Sequence, residues 1–161
     1  MPVDPLQLAQ LIEQHARTLR LWVRSRCASS EDVVQEAYCK LAVQEPPPDK
    51  PVAWLYRVCL NLAEKQRLSD TRRQRREQAW AQQKSSTTNT DDPSNLTEIL
   101  AAVETLDAEQ REILVARIWG KLSLEEVAEI CGISTTTAFR RYNAALQTIR
   151  EKLLPESEKR Q

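Results

Sequence analysis

The stretch SLEEVAEICGISTTTAFRRY, residues 123–142, contains the signals for two short helices joined by a tight turn. Ser123 and Glu126 have the spacing of a capping box, which predicts that a helix begins at Leu124. Gly132 can adopt the left-handed conformation that a sharp turn requires, and Ser134 can cap a second helix. This order of helix, glycine turn and helix is typical of a helix-turn-helix.

The second helix of this pair has a polar and basic outer surface. Ala138 and Tyr142 are expected to pack against the first helix. The residues then expected to face outward are Thr135, Thr136, Thr137, Phe139, Arg140 and Arg141. Threonine hydroxyls at a helix N-terminus suit phosphate groups, and arginine can pair with both acceptors of guanine. The pattern therefore favours DNA binding, although a plain packing unit with a solvated arginine face has the same spacing.

Apolar residues recur at three- to four-residue steps along most of the chain, which predicts helices throughout. The first helix is amphipathic from Leu8 to Val23, the second begins after Ser29 and Ser30, and the third begins at Pro51. Two more helices precede the helix-turn-helix, the second of them ending at Gly120. Strand patterns are absent from the sequence, so the predicted fold class is all-α.

The segment QQKSSTTNTDDPSN, residues 82–95, contains no large apolar residue. Such a segment cannot bury enough surface to order itself, and it is interpreted as a flexible linker. The sequence therefore predicts two small helical domains, residues 1–81 and 96–155, of which the C-terminal one is the helix-turn-helix domain.

Composition excludes several classes of protein. Only two glycines occur in 161 residues, which argues against glycine-rich nucleotide-binding loops. One histidine and four scattered cysteines lack the spacing of a metal site, so we expect no metal or cofactor and small, semi-buried core cysteines. The sequence has no apolar run of membrane-spanning length and no signal peptide, which predicts a cytoplasmic protein without membrane insertion.

The net charge of zero conceals a basic middle segment. Residues 50–84 contain nine basic and three acidic side chains, a balance of +6. A local positive charge of this size can bind a phosphate backbone even when the whole chain is neutral. The basic segment is therefore a second candidate for contact with nucleic acid.

Three motifs together resemble one family. These are EDVVQEAY at residues 31–38, AWLYRVCLNLA at residues 53–63 and LSLEEVAEICGIS at residues 122–134. In this order, with the linker between the second and the third, they resemble the two-domain sigma factors of the extracytoplasmic-function group within the sigma-70 family. The resemblance covers nearly all of the chain from Leu11 to Leu153.

The resemblance implies a promoter-specificity subunit rather than an enzyme, with core RNA polymerase and promoter DNA as partners. Asp32, Gln35 and Glu36 would contact core polymerase through the helix at residues 29–43. The minus-ten element would be read by residues 44–76, where Asn61 matches the family's asparagine. The residues that would contact DNA phosphates are Arg67, Arg72, Arg73, Arg75 and Arg76. Residues 133–147 would read the minus-thirty-five element, and an anti-sigma factor is a further expected partner.

Three departures from the family pattern bear on promoter choice. Leu60 replaces a frequent arginine, Phe139 replaces a frequent lysine, and the loop at residues 44–51 is short and rich in proline. Phe139 could contact a thymine methyl group or pack against protein, and the residues do not decide between these.

Other functions fit parts of the sequence. A stand-alone helix-turn-helix regulator would bind operator DNA as a homodimer without polymerase. An interaction protein could retain the fold after losing promoter recognition. A recombinase-type enzyme would need a catalytic cluster that the sequence does not supply.

Overall fold

A computed structural model of the chain describes residues 2–24, 26–77 and 95–154, with side chains from residue 98 onward in the last range. All regular structure in these ranges is helical, which confirms the all-α prediction. The helices are α1 (Pro5–Val23), α2 (Ser30–Val43), α3 (Pro51–Glu77), α4 (Asn95–Glu104), α5 (Ala108–Ile118), α6 (Leu124–Cys131) and α7 (Thr135–Leu153). Residues 82–94 of the predicted linker lie outside the described residues.

The chain divides into two compact units, Met1–Thr87 and Thr88–Gln161. In the first unit, α1, α2 and α3 pack against one another around a fully buried aromatic pair. The rings of Trp22 and Tyr56 meet edge to face, with centroids 4.9 Å apart. The hydroxyl of Tyr38 donates a hydrogen bond to the backbone oxygen of Leu11 at 2.8 Å, which joins α2 to α1.

The two halves of helix α3 differ in burial and in charge. Leu55, Tyr56, Cys59 and Ala63 bury one face of its first half in the core, as their spacing predicts. From Thr71 onward every described residue of the helix is exposed. The sequence of this second half is strongly basic, so α3 presents positive charge to solvent over its last turns.

In the second unit, α7 packs against α4, α5 and α6. Val103, Val115, Val127, Ala138 and Ala145 are completely buried in the core of this unit. The small side chains of Ala138 and Ala145 allow α7 to approach its neighbours closely.

Side-chain caps begin three helices of the second unit, because the first N–H groups of a helix lack partners within it. Asp107 accepts a hydrogen bond from the Gln110 backbone N–H at 2.9 Å. Ser123 and Glu126 form the complete predicted capping box, with both bonds present. Ser134 caps α7 by accepting from the Thr137 N–H at 3.1 Å.

Both predicted glycines lie at helix ends, but only Gly132 has a left-handed conformation. Gly132 has a φ of 69° and a left-handed conformation, as the helix-turn-helix spacing predicts. At the end of α5, Trp119 is the C-cap and Gly120 directly follows it, as the sequence predicts, but the positive φ of 54° belongs to Lys121. Similarly, α2 begins after Ser29, but the Ser29 side chain makes no capping bond.

The cysteines differ in their surroundings. Cys27 and Cys59 are buried and Cys131 is half-buried, but Cys39 is exposed, so the prediction of semi-buried core cysteines is wrong for this residue. The reason is that Cys39 lies beside the buried stripe of α2 rather than on it. Among the described residues, no group of His, Cys, Asp and Glu could hold a metal ion.

None of the helices in the described ranges combines the length and apolar character needed to cross a lipid bilayer.

Candidate nucleic-acid interface

The first turns of α7 form an exposed polar surface. Thr135, Thr136 and Arg140 are exposed, and the Phe139 side chain is 56% exposed. A phenylalanine with more than half of its surface in solvent is not part of the core of this unit. The structure therefore places these four predicted residues where a DNA duplex could reach them.

The sequence predicts that Thr137 and Arg141 also face outward, but both are half-buried. They lie at the edge of the buried stripe of α7, because Ala138 and Ala145 direct that side of the helix toward its neighbours. The Thr137 hydroxyl accepts a hydrogen bond from the hydroxyl of Ser134 at 2.8 Å and so belongs to the helix cap.

Arg141 forms an ion pair with a neighbouring helix. Its Nη2 lies 2.8 Å from Oε2 of Glu109, which is in the first turn of α5. Arg140, one residue earlier, is exposed and has no ion pair among the described residues. The two adjacent arginines therefore differ in their availability to DNA.

Sequence reasoning missed Asn143 as a candidate contact. Thr136, Phe139, Arg140 and Asn143 follow the i, i+3, i+4, i+7 spacing of one helix face, and all four are exposed. An asparagine amide can pair with both polar groups on the major-groove edge of adenine. The helical spacing from Thr136 was the signal that could have identified Asn143.

The basic second half of α3 supplies a separate exposed cationic surface. Asn61 and all five predicted arginines of this segment are exposed. Two of the arginines bind acidic residues on the same helix: Arg67 donates to Glu64 at 3.2 Å and Arg73 donates to Glu77 at 2.9 Å. The other three are Arg72, Arg75 and Arg76, and the described residues contain no ion-pair partner for them.

The two carboxylate oxygens of Glu64 accept hydrogen bonds from different arginines. Oε1 accepts from Arg26 at 2.9 Å and Oε2 accepts from Arg67. Burial acts to raise the pKa of Glu64, but the hydrogen bonds from Arg26 and Arg67 outweigh it, so the pKa lies below the usual glutamate value. Arg67 thus has a structural partner in addition to its predicted contact with phosphate.

The aromatic residues near this segment are mainly core residues. Tyr56 is completely buried, and desolvation strongly raises the pKa of its hydroxyl. Trp54 is half-buried. Neither ring lies free on the surface as a platform on which bases could stack.

The predicted polymerase-binding residues lie on the exposed side of α2. Asp32, Gln35 and Glu36 are all exposed, and Glu36 is 3.7 Å from Lys40 on the next turn. Gln35 also lines an open groove between α1 and α2. The apolar lining of this groove is Leu8, Ile12, Ala16, Val34, Tyr38 and Ala42.

This groove is a feature that the sequence analysis did not identify. It places an apolar surface directly beside a polar and acidic one.

Comparison with known proteins agrees with these features. Residues 96–149 match the family described as Sigma-70, region 4, and this match includes α5, α6 and most of α7. No curated protein shows a significant match to the sequence.

Solved structures that share the fold include RpoE and CnrH. The sigma factor RpoE from Bartonella quintana, in a co-crystal structure with the anti-sigma factor NepR, superimposes with a TM-score of 0.62 at 22% identity over 91% of this chain and 96% of the other. CnrH, in complex with the cytosolic domain of CnrY, superimposes with a TM-score of 0.52 at 24% identity over 93% and 89% of the two chains.

Proposed function

We propose that this chain is an RNA polymerase sigma factor of the extracytoplasmic-function group within the sigma-70 family. The region 4 match at residues 96–149 and the fold shared with RpoE and CnrH support this proposal. In this proposal α7 reads the minus-thirty-five promoter element. The first unit binds core RNA polymerase and the minus-ten element.

A single observation carries the assignment of α7. The helix that follows the glycine turn in the region 4 match is also the helix whose first turns expose hydroxyl, aromatic and guanidinium groups. Arg140 is the residue best placed to read a base, because it is exposed and unpaired among the described residues, whereas Arg141 is bound by Glu109. A bidentate arginine–guanine contact contributes about 1–3 kcal/mol of discrimination.

For the first unit, exposed charge supports the assignment. Arg72, Arg75 and Arg76 lie on the exposed half of α3 without acidic partners in the described part of the chain, so they are available to DNA phosphates. Asn61 lies nearer to the start of the helix and is the proposed polar contact with the minus-ten element. Asp32, Gln35 and Glu36 on α2 are the proposed contacts with core polymerase.

We further propose that an anti-sigma factor regulates this protein and that it acts in the cytoplasm. Of the structural neighbours, RpoE is bound to the anti-sigma factor NepR and CnrH to the cytosolic domain of CnrY. The apolar groove between α1 and α2 is a surface of this chain that such a protein could cover. In this proposal the chain is a transcription factor and not an enzyme.

Binding to core RNA polymerase tests the proposed role of α2. The wild-type chain should co-elute with bacterial core polymerase in size-exclusion chromatography at a ratio of one to one. The variant Asp32→Ala/Glu36→Ala should co-elute in a much smaller amount, because two charged contacts are lost from the binding surface.

The matched control is Asp4→Ala/Glu13→Ala. It removes two exposed carboxylates of the same unit that lie outside α2. Control protein that bound as weakly as the α2 variant would contradict the specific role of Asp32 and Glu36. A folded wild-type chain that did not bind core polymerase would contradict the function as a whole.

A further inference from the structure

The ion pair between Glu109 and Arg141 joins α7 to α5. We call α7 the recognition helix, because it is the helix proposed to read DNA. The Arg141 side chain is only 27% exposed, whereas that of Glu109 is 64% exposed. The carboxylate therefore offsets the positive charge of a guanidinium that is itself mostly buried.

The position of Arg141 explains why this neutralisation matters. Arg141 directly follows Arg140, so two like charges are adjacent on the helix that faces DNA. Glu109 offsets the charge of only one of them. Without Glu109, the recognition helix would present a second uncompensated cation beside the first, and unspecific attraction to any DNA backbone would increase.

We propose that Glu109 is an electrostatic gate on Arg141, which restrains the contact of this arginine with DNA phosphates in the free protein. This inference rests on the proposed DNA-binding role of α7. Because the ion pair is partly exposed to solvent, it is weak enough for a correctly placed phosphate to displace the carboxylate. Glu109 thereby lowers the affinity for random DNA more than the affinity for a promoter on which the helix is correctly positioned.

The salt dependence of DNA binding tests this gate. The full-length chain and its Glu109→Gln variant are titrated against a fluorescent duplex of random sequence between 50 and 200 mM salt. Each additional phosphate contact steepens the plot of log affinity against log salt by about 0.9. Glu109→Gln should therefore bind the duplex more tightly than wild type. The ratio of the two affinities should be about 3.5-fold larger at 50 mM than at 200 mM salt.

Two further variants separate the gate from a general charge effect. Glu125→Gln removes one exposed carboxylate from α6 of the same unit and should leave the salt slope close to that of wild type. In an Arg141→Gln background, Glu109→Gln should have no effect on the slope, because the two residues act as a pair.

Three results would overturn the inference. The first is a salt slope in Glu109→Gln that equals that of wild type, and the second is weaker DNA binding by that variant than by wild type. The third is an equal gain in affinity when Glu109→Gln is introduced into the Arg141→Gln background. If none of the proteins, including wild type, bound duplex DNA at 50 mM salt, the gate would be contradicted, whereas the proposed role of α7 on core polymerase would be unaffected. Binding by wild type without an effect of Glu109→Gln would contradict the gate alone.

Discussion

Arg26, in the segment between α1 and α2, donates a hydrogen bond to Oε1 of Glu64 in α3 at 2.9 Å, across 38 residues of sequence. Arg67 binds the other oxygen of the same carboxylate from the next turn of α3. Glu64 therefore links α3 to the segment between α1 and α2, just before the exposed basic half of the helix.

This arrangement predicts a pH-dependent contribution to stability. The pKa of Glu64 lies below the ordinary value of 4.5, so the ionised form stabilises the fold. The contribution is complete at neutral pH and is lost as the pH falls through the lowered pKa. Because the carboxylate is partly exposed, Glu64→Gln should lower the free energy of unfolding at pH 7 by about 1 kcal/mol or less.

Urea unfolding followed by circular dichroism at pH 7 and at pH 3 would measure this effect. The difference between wild type and Glu64→Gln should be larger at pH 7 than at pH 3. Glu13→Gln, an exposed residue of α1, is the control and should leave the stability unchanged at both values. A difference that grew on acidification would contradict the proposed role of the ionised carboxylate.

Arg111 is predicted to stabilise the second unit through the end of α4. Its guanidinium donates to the backbone oxygens of Val103, Glu104 and Leu106 at 3.3, 2.8 and 3.0 Å. Hydrogen bonds from charged groups contribute about 1.5–3 kcal/mol, so Arg111→Ala should lower the free energy of unfolding by about 2 kcal/mol.

Thermal unfolding would detect this loss as a lower Tm. Arg140→Ala is the matched control, because it removes an exposed arginine of the same unit and should change stability by less than about 0.5 kcal/mol. Equal Tm values for the Arg111 and Arg140 variants would show that the three carbonyl contacts do not stabilise the fold.

The helix-turn-helix was the most predictable part of the molecule, because its signals are local. Ser123, Glu126 and Gly132 act on neighbouring backbone groups, so their spacing in the sequence is enough to define the turn. The orientation of Arg141 could not be predicted in this way. Its partner Glu109 is 32 positions away, and only the packing of α7 on α5 brings the two together.

The contrast between local signals and long-range packing also explains the other features that the sequence did not predict. Cys39 is exposed because of the orientation of α2 about its own axis. The apolar stripe of α2 is short, so the sequence does not show on which side of a neighbouring residue the buried face ends. The groove between α1 and α2 depends on the packing of two helices, so neither helix alone predicts it.

Substitution of Gly132 is predicted to destabilise the fold by straining the backbone. A Cβ atom at this position would meet no other atom within 4 Å, so the cost comes from the positive φ and not from a clash. Gly132→Ala should lower the free energy of unfolding by about 1 kcal/mol. Gly132→Asn should lower it less, because asparagine tolerates the left-handed region better than alanine.

Chemical denaturation of both variants would test this order. An alanine variant as stable as wild type would contradict the strained-backbone argument. An asparagine variant that was less stable than the alanine variant would contradict it as well.

The cysteines are predicted to react with a thiol reagent at very different rates. Cys39 is exposed, whereas burial raises the pKa of Cys59 to about 12 and keeps it protonated at neutral pH. Burial also raises the pKa of Cys27. Since the thiolate is the reactive form, Cys39 should be labelled first and Cys59 only after unfolding.

Labelling of the native chain with a maleimide, followed by peptide mass analysis, would measure these rates. The Cys39→Ser variant should lose the fastest phase and keep the slow ones. Rapid labelling of Cys59 in the folded protein would contradict the packing of the first unit.

Transcription from a library of promoters with randomised upstream and downstream elements is the most direct test of the central claim. Core polymerase with the wild-type chain should initiate at a defined subset of sequences, and Arg140→Ala should relax the preference at one upstream position by about 1–3 kcal/mol. Core polymerase alone should not select that subset. Initiation that is the same with and without the chain would contradict its function as a sigma factor.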